Sequence, residues 1–246
     1  MDLLTIVCCT PDKPERKEHM RALCSREGLE PHFTTDLGLF VDKASCESLT
    51  GSFPENPAYK AHYLTYIRAL RHFIATGRAY LLLFEDDVVR TDGGEVSVER
   101  IIADAPPFDL LFLEYCHASC ARQVPVGGRY VTGLRAACTG ACVYSLAGAR
   151  AFVAFAATKH MVIDWLTPLY AATMRGAQRT LYLSPPAFKQ DRSLFADGVT
   201  GAGEHGFPPV CAPHHTPAVG VESLAPLVLL AAVALSLAAL HMLAHM

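Results

Sequence analysis

Residues 80–90, YLLLFEDDVVR, decide the fold. The run 80–84 is apolar without a break, as expected of a strand covered on both faces. Glu85, Asp86 and Asp87 follow it directly, and the nearest cation in sequence is Arg90. Three adjacent carboxylates repel one another. At the end of a buried strand they must raise their pKa values or recruit a positive partner. A hard divalent cation is such a partner, and Mg²⁺-type sites use one or two carboxylates plus substrate phosphates. Ligands of open α/β sheets also sit beyond the carboxyl ends of the strands. The alternative reading of the triplet is a solvated acidic turn.

Outward from this stretch, strand and helix signals alternate. Residues 3–9 form a buried first strand, since they lack both a cationic flank and a cleavage site of the signal-peptide kind. A surface helix over 11–27 carries Met20, Leu23 and Cys24 on one side and stops at Gly28. Asn56-Pro57 caps a helix on which Tyr63, Ile67, Leu70 and Ile74 recur at helical spacing before Gly77. Ser97 caps a helix reaching Ala105. Strands are expected over 109–113, 141–144 and 181–183, and helices over 146–157, capped by Ser145, and 162–175, kinked at Pro168. Such alternation predicts an α/β fold: a largely parallel sheet with helices on both faces.

Composition narrows the class. The 246 residues allow one domain with an appendage; 51% are hydrophobic and 18% charged, which excludes a disordered chain. The net charge of −3 gives no basic field for nucleic acid. Residues 224–244 are Leu, Ala and Val interrupted only by Pro226, Ser236, His241 and Met242. As a helix they would span roughly 32 Å, close to a bilayer's hydrocarbon thickness. The expected organisation is a catalytic domain over 1–196, a Gly/Pro/His-rich loop and linker over 197–223, and a transmembrane tail anchor over 224–244. A terminal helix packed on the domain is the alternative. With no earlier segment able to start translocation, the domain is expected to face the cytosol. Nine cysteines at irregular spacing then read as reduced thiols rather than a disulfide scaffold.

Several segments together resemble glycosyltransferase family 25, which includes lipopolysaccharide glycosyltransferases and collagen galactosyltransferases. DKPERKEHMRALCSREGLEP (12–31) is similar to the family's arginine-bearing first helix, and AYKAHYLTYIRAL (58–70) to its Ser-His helix. YLLLFEDDVV (80–89) resembles its Glu-Asp-Asp-Val strand, and FDLLFLEYC (108–116) follows in the expected place. TGACVYSLAGARAF (139–152) resembles the Thr-Gly-Ala-Tyr segment. VIDWLTPLY (162–170) and LYLSPPAFKQD (181–191) close a match over about residues 3–195. Ala61 stands in place of the family's serine, Cys8 and Cys9 in place of Asn-Leu, and Cys142 in place of tyrosine.

The resemblance implies a GT-A-like, Rossmann-like fold. It also implies transfer of a hexose, galactose or glucose, from a UDP-sugar to a hydroxyl of a glycan or protein acceptor, with inversion. On this reading Asp87, with Glu85, holds a divalent cation (Mn²⁺ or Mg²⁺), and Glu85 and Asp86 support the ion or the ribose. Arg16 and Gln190 lie by the nucleotide, His62 by the acceptor, and Asp164 is the general base. Bland readings stand beside these: a helix-dipole aspartate for Asp164, a solvated arginine for Arg16, a packed core residue for His62. The departures at Ala61 and Cys142 would also suit a catalytically inactive, membrane-tethered binding module, whereas the intact Glu-Asp-Asp favours the enzyme. A phosphoryl-transfer enzyme is disfavoured, because no Walker-type loop is present.

Cys116, Cys120, Cys138 and Cys142 could in principle hold zinc. Small buried hydrophobes are the better reading, because alternating strand faces keep such thiols from converging. His205, His214 and His215 belong to the Gly/Pro-rich linker, from which a late loop could also complete a cation shell.

Overall fold

The computed structural model describes residues 1–46, 48–91, 96–119, 123–173 and 179–191. The linker 197–223, the apolar run 224–244 and the histidines 205, 214 and 215 lie outside these residues. No helix among the described residues is long and apolar enough to cross a membrane.

In chain order the elements begin with β1 (Leu3–Cys8), α1 (Pro14–Arg26), β2 (Pro31–Phe33), α2 (Pro57–Thr76), β3 (Tyr80–Glu85), β4 (Val88–Arg90) and α3 (Val98–Asp104). Then come β5 (Leu110–Phe112), β6 (Cys116–Ser119), β7 (Val124–Gly127), β8 (Tyr130–Thr132), β9 (Arg135–Ala137) and β10 (Ala141–Ser145). The series closes with α4 (Leu146–Ala156), α5 (Ile163–Ala171), β11 (Thr180–Leu183) and β12 (Phe188–Gln190).

An 8-stranded sheet runs in the order β2-β1-β3-β10-β5-β11-β8-β7. Strands β2, β1, β3, β5, β11 and β7 point one way, and β10 and β8 the other. The mixed α/β class is as expected, but the reversal of β10 is not legible from an apolar run. Its consequence is local. β10 starts where β3 ends, with Ala141 opposite Phe84, so the residues before it arrive at the acidic triplet. Two small pairs, β4 with β12 and β6 with β9, were not foreseen. Their strands are three or four residues long, too short for a period to show.

Side-chain alternation along the strands splits the core in two. Leu4, Ile6, Leu81, Leu83, Phe112 and Tyr144 face α2, α4 and α5. Val7, Leu82, Phe84, Leu111 and Val143 face α1 and α3. Tyr66, Leu70 and Phe73 of α2 are fully buried, each contributing roughly 1.5–3 kcal/mol. The helix starts where capping chemistry puts it: Asn56 accepts from the Ala58 N–H at 3.0 Å, and Gly77 ends it at φ 71°. Ser145 caps α4 in the same way, accepting from the Gly148 N–H at 3.0 Å.

The cysteines depart from expectation. Cys116 and Cys138 form a disulfide with Cα atoms 5.5 Å apart, so they are neither reduced thiols nor zinc ligands. Their strands, β6 and β9, are antiparallel neighbours with Cys116 opposite Ala137. That juxtaposition is tertiary and left no mark in the spacing. It also takes away the redox argument for a cytosolic domain. Cys8, Cys9, Cys24, Cys46 and Cys142 are buried free thiols, as the expectation of reduced thiols has it for these five and as the small-hydrophobe reading has it for Cys142; Cys120 lies outside the described residues.

Candidate active site

The site begins at the last residue of β3. Glu85 pairs with Cys8, the last residue of β1, in the parallel register of the two strands. Its backbone N–H donates to the Gly140 carbonyl at 2.8 Å, which fixes the strand end against the segment leading into β10. Both carboxylate oxygens are engaged. Thr139 Oγ1 donates to Oε1 at 2.6 Å, and Gln190 Nε2 donates to Oε2 at 2.8 Å. His62, projecting from α2, has Nε2 3.7 Å from Oε1. Thr139 Oγ1 also lies 3.2 Å from Asp164 Oδ1, in the first turn of α5. One hydroxyl therefore links the acidic triplet to the candidate base.

Asp86 turns the other way and pairs with Arg16 Nη1 at 2.8 Å. Arg16 sits in the first turn of α1, two residues after the proline that starts the helix. It is mostly buried in this pair rather than being a solvated arginine. Asp87 enters β4; its carbonyl accepts from the Asp191 N–H at 2.8 Å, just beyond β12. The pairing of β4 with β12 sets Gln190 opposite Val88, and so carries Gln190 to Glu85. Arg16, His62, Glu85, Asp86, Asp87, Asp164 and Gln190 are thus drawn from five separate segments to one end of the sheet.

Two contributors carry no assignment in the sequence reading. Thr139 is one, on a segment quoted for its resemblance. Glu114 is the other: it is 2% exposed and its Oε2 accepts from the Gly140 N–H at 2.9 Å. An acid two residues after the buried strand β5, at the same sheet end as Glu85, is a signal that could have been read. Thr139 had none, because its place depends on the reversal of β10. Gly140 is needed for room, since a Cβ there would lie 2.9 Å from Glu114 Oε2 and from Val88 Cγ1.

The electrostatics follow from burial. Glu85 is held well above the ordinary carboxylate range, first by burial and then by the charges of Asp164 and Asp87. Asp86 is also raised by burial, against the opposing pull of Arg16. Burial pushes the His62 imidazole down, although Asp164 and Asp86 act in the other direction. His62 is therefore a neutral hydrogen-bonding group near pH 7.

Negative charge gathered beside Arg16, which among the described residues pairs with Asp86, is a donor set suited to a divalent ion. Among the described residues no three His, Cys, Asp or Glu side chains close on one point as a full protein cage would. An ion shared with phosphate oxygens needs only one or two carboxylates, a number that Asp87 and Glu85 supply.

No protein-family model matches the chain, and no curated protein matches it. Solved structures with a similar course of the chain include a glycosyltransferase involved in glycosylation of the major capsid of PBCV-1. It is 11% identical, with a TM-score of 0.43, covering 78% of this chain and 96% of that one. Another is mannose-1-phosphate geranyltransferase from Thermus thermophilus, 11% identical, with a TM-score of 0.39 and 74% of each chain covered. Likeness at this level assigns neither a family nor an activity.

Proposed function

We propose that the chain is a glycosyltransferase of the family 25 kind, moving a hexose from a UDP-sugar to an acceptor hydroxyl. The observation that carries the reading is the link through Thr139 between Glu85 and Asp164. It sets a candidate base beside an acidic strand end, in the place where an α/β sheet binds its ligand.

In this reading Asp164 accepts the proton of the acceptor hydroxyl as that oxygen attacks the anomeric carbon. The bond from that carbon to the diphosphate breaks, UDP departs, and a single displacement inverts the centre. Asp87 and Glu85 would hold the divalent cation, which when bound neutralises charge on the departing diphosphate. Gln190 and Thr139 keep the Glu85 carboxylate oriented through its two oxygens. Neutral His62 offers a hydrogen bond to the acceptor. Arg16 holds Asp86 and keeps the start of α1 on the nucleotide side.

Release of UDP from a panel of UDP-sugars, with Mn²⁺ and with EDTA, tests the reading. UDP-galactose or UDP-glucose turnover that EDTA stops is the expected result. No release from any UDP-sugar, with a range of glycan and peptide acceptors present, would reject it.

A further inference from the structure

The Cys116–Cys138 disulfide lies against the site. Cys138 immediately precedes Thr139, and Cys116 follows Glu114 by two residues. The two segments are tied three times over. The Glu114 N–H donates to the Ala141 carbonyl at 3.2 Å, Glu114 Oε2 accepts from the Gly140 N–H at 2.9 Å, and the disulfide closes the end. Cys138 also has φ 71°, and among the described residues no other non-glycine residue has a positive φ. A side chain in the left-handed region persists only where its surroundings over-determine it. Here the covalent bond does so, and the residue it fixes is followed by the one hydroxyl shared by Glu85 and Asp164.

We propose that this disulfide is a positioning device for the site: it clamps Thr139 between Glu85 and Asp164, and its reduction by a dithiol lowers turnover. The proposal rests on the glycosyltransferase reading for its activity readout, but the coupling it asserts is structural. In the reduction, a dithiol gives two electrons and two protons. The Cys116–Cys138 S–S bond breaks, both cysteines become thiols, and the reagent closes to its own disulfide. Cys138 can then leave the left-handed region and carry Thr139 away from the two carboxylates.

Trp165, the sole tryptophan and the residue after Asp164, supplies a readout independent of activity. The full chain is compared oxidised and after dithiothreitol treatment and desalting, with thiols counted by mass after alkylation. Reduction should lower kcat at least about tenfold with little change in donor KM, as misplacing a reacting group does, and should move Trp165 emission. Reoxidation should restore both. Cys138→Gly, which tolerates the left-handed backbone without the bond, should keep more turnover than Cys138→Ala, and neither should respond to dithiol. Thr139→Ser should retain activity that Thr139→Val loses. Unchanged kcat and emission on reduction would overturn the proposal, as would free thiols at Cys116 and Cys138 in protein prepared without reductant. A redox-dependent Trp165 signal with no UDP-sugar turned over in either state would support the clamp and reject the glycosyltransferase reading.

Discussion

Asp86 and Arg16 form a mostly buried ion pair at 2.8 Å, joining residues 70 apart in sequence. The pair ties the start of α1 to the turn after β3. Breaking a buried pair by removing one partner leaves an uncompensated charge. Arg16→Met should therefore destabilise the protein by about 3 kcal/mol near neutral pH. Without the guanidinium, the carboxyl of Asp86 titrates still further above its ordinary 3.8. The folded variant then binds more protons than the unfolded chain, and the loss should shrink as the pH is lowered toward that range. Urea unfolding at pH 5 and pH 8 measures both effects. An equal loss at the two pH values would show that the pair is not buried in solution.

Glu85 gives a prediction of the same sign in the native protein. Its folded carboxyl keeps its proton to higher pH than the unfolded one, which titrates near 4.5. Stability without ligand should fall as pH rises above that value. Glu85→Gln removes the titration, so its Tm should exceed that of the native protein at pH 8 and the difference should narrow at pH 5. Scanning calorimetry of both proteins across that range checks it, with UDP release from the variant expected to fall.

Gly148 reports on how closely α4 packs on the sheet. A Cβ there would lie 1.9 Å from the Asp109 carbonyl oxygen, and the Ser145 N–H donates to that oxygen at 3.1 Å. Backbone cannot yield as a flexible side chain would. Gly148→Ala should cost about 3 kcal/mol, at the upper end for an overpacked core site, although alanine favours helix over glycine. Chemical denaturation measures it, and a neutral or stabilising result would contradict this packing.

Much of this arrangement is legible in the chain because it is local. The Asn56 and Ser145 caps, the Gly28 and Gly77 stops and the run 80–84 each act within a few residues, and the structure places them as read. The gathering of Arg16, His62, Glu85, Asp164 and Gln190 was expected only through resemblance. Thr139 and the Cys116–Cys138 bond were missed because both depend on strand direction and on pairing between distant segments. An apolar run carries neither. Glu114 was within reach, being an acid at a strand end like Glu85, but lacks the neighbouring acids that made the triplet conspicuous.

The apolar residues 224–244 carry a separate expectation. If they anchor the chain in a bilayer, the full-length protein should sediment with membranes and need detergent for release. A chain lacking 221–246 should remain in the supernatant and bind UDP as before. Full-length protein that stays in the supernatant without detergent would contradict the anchor.

In the proposed function Asp164, linked through Thr139 to Glu85, is the base in sugar transfer. Steady-state kinetics of Asp164→Asn beside the native protein, with the UDP-sugar that the native protein turns over, tests it most directly. A fall in kcat of about a hundredfold or more is expected, within the range of general base catalysis, with UDP affinity and Tm nearly unchanged. An Asp164→Asn protein that transfers sugar at the native rate would contradict it.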